Sequence, residues 1–179
     1  MKPLAYTLDQ LDLLPKKGEK YGVIGDPVIH SLSPSIHNPG FQDLGMDAEY
    51  FRIHLKPDDL HEGVKKLVQY GFSGWNCTVP HKVNIVPLCH RLDETAERFQ
   101  AANTIRIEDG RLIGFNTDGQ GWVRAIREEF RIDVSELRIM ILGIGGAGRA
   151  LAIQAALENC ERLVLVNRTV EKAQSLQKE

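Results

Sequence analysis

Two stretches of this chain carry residues whose types and spacing suit chemistry. In the first, Ser31 and Ser33 stand two apart in GDPVIHSLSPSIHN, so both hydroxyls can face one side of the chain. NCTVPHK then brings Asn76, Thr78 and Lys82, AANT brings Asn103, and FNTDGQG brings Asn116, Thr117 and Asp118. Hydroxyls and amides both donate and accept, which suits a polyhydroxylated ligand with a carboxylate. Plainer roles stay open: Ser33 as a helix cap, Asn76 and Thr78 as a strand-end turn, Asn103 as the start of a hairpin.

The second stretch is GIGGAG, in which Gly143, Gly145 and Gly148 satisfy G-x-G-x-x-G, with Gly146 and Ala147 between them. It leaves an apolar run and opens a helical one, the context in which glycines let a backbone approach a pyrophosphate at a helix N-terminus. A purely structural strand-to-helix turn is the alternative. At the end of the next apolar run an NAD enzyme needs an acidic acceptor for the ribose 2′-hydroxyl. This chain has Asn167-Arg168-Thr169 there. A guanidinium and a hydroxyl are donors suited to a 2′-phosphate, so NADP is the expected cofactor. A solvated arginine is the bland reading.

These residues need elements to hold them. YGVIG (21–25), AEYFRIHL (48–55) and FSGWNCTV (72–79) read as strands. Ser33-Pro34 opens a helix that Pro39-Gly40 should kink or shorten. Leu60, Val64, Leu67 and Val68 give a helix over 57–70, stopped by Gly71. A further helix is expected behind Pro80, and a short one over DETAERFQAA. NTIRIEDGRLIGFN is a hairpin turning at Asp109-Gly110. Residues 122–130 are helical and can bridge two domains; RIMILG and RLVLVN are buried strands around a helix over 147–158, with another helix starting beyond. Strands separated by about a dozen helical residues mark parallel βαβ units.

The expected class is therefore α/β: residues 1–20 as a polar lead-in or linker, 21–117 as an α/β substrate-binding domain, and 118–179 as the first part of a Rossmann-type doubly wound domain. A doubly wound sheet needs its second half to hold the nicotinamide, so this is expected to be an N-terminal piece of a longer protein, with negligible turnover by itself.

The charge balance, 22 Lys+Arg against 24 Asp+Glu for a net −2, offers no field for a polyanion and argues against nucleic acid as a partner. No stretch resembles a signal peptide or a membrane span, and three scattered cysteines read as reduced thiols, so the protein is expected in the cytoplasm. Cys77, His81, Cys89 and His90 are close in sequence, but their spacing fits no standard zinc site, and no metal is expected.

HSLSPSIHN, GFSGWNCTVPHK, AANTI, GFNTDGQG, GIGGAGRA and NRT, in this order, resemble the successive signatures of shikimate dehydrogenases, from about Tyr21 to the C-terminus. The resemblance implies an oxidoreductase of aromatic amino acid (chorismate) biosynthesis, the shikimate pathway, that reversibly reduces 3-dehydroshikimate to shikimate with NADP. It implies that Ser31 and Ser33 hold the substrate carboxylate, that Asn76, Thr78, Asn103 and Asp118 contact ring hydroxyls, and that Lys82 is the catalytic lysine. Asp118 then pairs with Lys82 as the second catalytic group. Gly143, Gly145, Gly146, Ala147 and Gly148, with Asn167, Arg168 and Thr169, correspond to the cofactor loop and the 2′-phosphate clamp. A homodimer is compatible with this reading.

The chain departs from the family pattern at His81, where an apolar aromatic is common, at Cys77 in place of a usual valine, at Gln100, and at Pro39-Gly40. His81 beside Lys82 bears on that lysine's surroundings. Two alternatives stay open: a quinate/shikimate dehydrogenase with relaxed cofactor use, and a non-catalytic paralogue binding shikimate or a nucleotide. The plain reading of Lys82 and Asp118 is a structural surface pair.

Overall fold

The β-branched and aromatic runs that end at glycine or proline become strands in the computed structural model, which describes residues 3–178. Met1 and Lys2 of the expected lead-in, and Glu179 at the far end, lie outside the described residues. The described residues fall into two units, one ending at Phe115 and one beginning at Asn116.

In the first unit the elements are β1 (Glu19–Gly25), α1 (Ser33–Asp43), β2 (Ala48–His54), α2 (Leu60–Gln69), β3 (Phe72–Cys77), α3 (His81–Asn84), β4 (Arg91–Leu92), α4 (Glu94–Phe99), β5 (Thr104–Glu108) and β6 (Arg111–Phe115). The six strands among these described residues make one sheet of order β2-β1-β3-β5-β6-β4. β1 pairs parallel with β2 and β3, and β5 runs antiparallel to β3 and β6. The hairpin turns where expected, with Asp109 and Gly110 both at positive φ (50° and 72°), the conformation an Asp-Gly pair adopts most readily.

Period-two alternation sorts β2 onto the two faces of the sheet. Phe51 and Ile53 join Ile24, Leu55, Leu60, Val64 and Leu67 in the core under α2, while Tyr50 packs with Val23 and Val28 on the opposite face, against Phe41 of α1. Leu60, Val64 and Leu67 are the buried stripe that the helical spacing requires.

Three local expectations change. The lead-in is not detached: Tyr6 bridges Ile53, and Leu11 of a 3-10 turn and Leu14 just after it are buried in the main core. Ser33 is the first residue of α1 rather than its cap, and its hydroxyl turns to other partners. α1 also continues through Pro39; that residue and Ser35 are exposed, so water can take the Ser35 carbonyl that proline cannot bond.

The second unit holds α5 (Asp118–Phe130), β7 (Arg138–Leu142), α6 (Gly146–Leu157), β8 (Arg162–Val166) and α7 (Val170–Gln177). α5 starts at Asp118, four residues before the apolar spacing suggested. β7 and β8 pair parallel in register, the opening βαβα of a doubly wound sheet, with Ile141, Ala152 and Leu176 at the centre of its small core. The fold class is the α/β one that the alternation of elements suggests. No helix among the described residues is long and apolar enough to cross a membrane.

Candidate active site

The three parallel strands of the first unit end at one edge, at Gly25, His54 and Cys77, and the antiparallel β5 begins there, with Thr104 opposite Asn76. Polar side chains that follow strand ends are thereby collected at the carboxyl edge of the sheet, where open α/β folds bind ligands. Ser31, Ser33, Asn76, Thr78, Lys82 and Asn103 all line one concavity of about 290 Å³, together with Val23, His37 and Cys77. Gly25 makes room for this: a Cβ there would overlap the Thr78 methyl.

Backbone bonds fix the frame. Thr78 N–H donates to Ile24 O (3.0 Å), Cys77 N–H to Asn103 O (2.8 Å), Ala102 N–H to Lys82 O (2.8 Å) and Asn103 N–H to Phe115 O (3.0 Å). Arg52 Nε donates to the Ser31 carbonyl (2.7 Å), tying the serine loop to β2. Ser31 Oγ donates to Ser33 Oγ (3.1 Å), so the two hydroxyls do share one side.

Asn76 is heavily committed. Its Nδ2 donates to Thr104 Oγ1 (2.9 Å) and Asn103 O (3.2 Å), while its Oδ1 accepts from the Tyr50 phenol (2.5 Å). Tyr50, Thr104 and the stacked His37 were not singled out from the sequence. The available signal was the alternation of β2, which puts Tyr50 on the face opposite Phe51.

His81, at the start of α3, is fully buried and donates from Nε2 to Leu55 O over 2.7 Å. Its Nδ1 has no hydrogen-bond partner among the described residues. Burial lowers its pKa, so the ring is neutral and bears no charge beside Lys82. Burial pushes the Cys77 thiol far up, leaving it an inert wall of the concavity. Cys89 Sγ is bonded to Ile85 O and His90 Nδ1 to Leu112 N–H; among the described residues no three His, Cys, Asp or Glu side chains gather to hold a metal ion.

Asp118 belongs to the second unit, at the first position of α5, where its N–H donates to Asn116 Oδ1 (3.0 Å). Thr117 is the residue before that helix.

The glycine loop lies between β7 and α6. Gly143 takes φ +98°, and a Cβ on Gly148 would overlap the Gly143 carbonyl, so this turn closes only with glycine at both places. Around Gly145 no atom stands where a Cβ would go. The N-cap residue of α6 is Gly145, which has no side chain with which to cap the helix. An open backbone at an uncapped helix start fits a pyrophosphate. Arg168 and Thr169 are exposed just beyond β8, a cationic and a hydroxyl donor, and Thr169 does not spend its hydroxyl capping α7. That donor set fits a 2′-phosphate. Asn167 Oδ1 accepts from Ile144 N–H (2.9 Å) and its Nδ2 donates to Thr169 O (2.7 Å), bracing the glycine loop against the end of β8.

Residues 23–105 match the family model of the shikimate dehydrogenase substrate binding domain. A shikimate dehydrogenase (NADP(+)) from Geobacillus sp. (strain WCH70) is 44% identical over 156 residues, 87% of this chain and 56% of its own length. The crystal structure of shikimate dehydrogenase from Aquifex aeolicus aligns with TM-score 0.86 and 35% identity, covering 92% of this chain and 61% of that one. Shikimate 5-dehydrogenase from Thermus thermophilus, in complex with NADP(H) and shikimate, aligns with TM-score 0.82 and 32% identity, covering 89% and 60%. The chain spans about half the length of the curated relatives it matches.

Proposed function

We propose that this chain, whose residues 23–105 match the shikimate dehydrogenase substrate binding domain model, supplies the substrate site and the first part of the cofactor site of an NADP-dependent shikimate dehydrogenase. The reaction is 3-dehydroshikimate + NADPH + H⁺ ⇌ shikimate + NADP⁺. The observation that carries this reading is the convergence of Ser31, Ser33, Asn76, Thr78, Lys82 and Asn103 on one concavity.

The division of labour follows from the chemistry of each group. On binding, the Ser31 hydroxyl rotates out of its bond to Ser33, and both serines turn their hydroxyl hydrogens to the substrate carboxylate. Asn76, Thr78, Asn103 and Asp118 meet ring hydroxyls. Lys82 gives a proton to the substrate oxygen in one direction and removes it in the other, and Asp118 holds that hydroxyl as an acceptor. The Gly143–Gly148 turn takes the pyrophosphate, and Arg168 with Thr169 takes the 2′-phosphate. Bound NADP supplies or accepts the hydride. The protein acts in the cytoplasm, in the formation of aromatic amino acids.

The test uses an enzyme carrying these residues together with a complete nucleotide-binding domain. Lys82→Ala and Asp118→Asn are each expected to cut NADPH-dependent reduction of 3-dehydroshikimate by about two orders of magnitude or more, with folding intact. Turnover within a few-fold of wild type for both removes them from the mechanism.

A further inference from the structure

Tyr50 does not line the concavity, yet it is tied to it on both sides. The residue is only 4% exposed, and its ring stacks on His37, centroids 4.4 Å and planes 11° apart. Asn38 clamps its backbone, accepting from Tyr50 N–H (2.7 Å) and donating to Tyr50 O (3.2 Å). A side chain held this way has one place for its hydroxyl.

The direction of each bond around that hydroxyl follows from elementary donor and acceptor chemistry. The Asn103 carbonyl can only accept, so the Asn76 atom facing it must be Nδ2, and Oδ1 therefore faces Tyr50. The phenol must donate there; burial holds its pKa well above the usual tyrosine range, so the proton stays in place. At the other end Thr104 Oγ1 donates to Asn103 Oδ1 (3.0 Å). A one-way chain of donors thus runs from Tyr50 through Asn76 and Thr104 to Asn103.

We propose that Tyr50 is the positioning residue that sets the hydrogen-bond polarity of this pocket. With both Asn76 amide hydrogens spent and one Oδ1 lone pair taken by the phenol, Asn76 offers a ligand only an acceptor. The ligand group opposite it must then be a hydroxyl that donates, and a carbonyl or ether oxygen at that place meets a like dipole. This deepens the shikimate reading of the site and rests on it.

The test compares the full chain with its Tyr50→Phe variant, which keeps the ring stacked on His37. Two probes are titrated by ligand-observed NMR: shikimate, and 1-cyclohexene-1-carboxylate, which has the ring and carboxylate without the hydroxyls. The Asn76 side-chain amide signals are followed separately without ligand. Wild type is expected to prefer shikimate by about tenfold or more. In Tyr50→Phe that preference should fall several-fold, binding of the hydroxyl-free acid should hold, and the Asn76 amide hydrogens should exchange faster. Equal weakening of both ligands means general loosening and overturns the proposal, as does an unmoved Asn76 signal with the preference retained. A wild-type chain that does not distinguish the two acids overturns the shikimate reading instead.

Discussion

Gly148, in the first turn of α6, passes so close to Gly143 that a methyl group on it would overlap the Gly143 carbonyl oxygen. The shape of the loop, and the aim of the N–H groups at the helix start, therefore depend on that one contact between two backbones. Replacing Gly148 with Ala raises helix propensity by about 1 kcal/mol, while the overlap costs about 1–3 kcal/mol. The expected outcome for Gly148→Ala is no gain or a loss in thermal stability, with weakened NADPH binding in a fluorescence titration. A variant that is stabilised and binds NADPH as before contradicts this geometry.

Arg168 should choose between cofactors. It is exposed beyond β8, next to a loop braced by Asn167, and no carboxylate stands at the end of that strand to accept from a ribose hydroxyl. A charge-assisted bond to a phosphate contributes about 1.5–3 kcal/mol, so Arg168→Ala should weaken NADPH binding by about 10- to 100-fold and leave NADH binding nearly unchanged. Parallel titrations with both nucleotides check it. Equal loss for the two would assign Arg168 to the loop rather than to the 2′-phosphate.

His81 gives the first unit an acid-sensitive core. Its folded-state pKa is depressed by burial, whereas an unfolded histidine titrates near 6.5. Below that pH the unfolded chain takes up a proton that the folded chain resists, so the stability this ring contributes is complete above about pH 6.5 and declines as the pH falls, by at most about 1.4 kcal/mol per pH unit. Replacing it with Phe, which cannot protonate, should flatten the dependence of urea-unfolding stability on pH between about 6.5 and 5. Identical slopes for wild type and His81→Phe would mean that His81 does not set the acid limit.

The parts of this molecule that were legible in the sequence are those with local causes. The Gly143–Gly148 turn follows from a strand and a helix on either side of it, and the hairpin from Asp109-Gly110. Asn76, Thr78 and Asn103 could be singled out because each lies at or beside a strand end, and Ser31 and Ser33 because they follow the first strand two apart, although only the β2-β1-β3-β5 order brings them to one edge. The packing of the lead-in is not legible because Leu8 and Leu11 of its 3-10 turn, and Leu14 just after it, recur every three residues, a spacing that matches neither a strand nor a full α-helical stripe. Tyr50 was missed for a different reason. Its partner Asn76 is 26 residues away and is reached across β1, where Tyr21 pairs with both Tyr50 and Gly74; nothing local to either residue encodes that register.

The most direct test of the central claim is to titrate the full chain with shikimate and follow its backbone and side-chain N–H signals by NMR. The expected result is a set of shifts concentrated on Ser31, Ser33, Asn76, Thr78, Lys82 and Asn103, and largely lost when Ser33→Ala and Asn103→Ala are combined. No shifts at millimolar shikimate, or shifts gathered instead around the separate concavity lined by Lys17, Lys20 and Glu49, would contradict it.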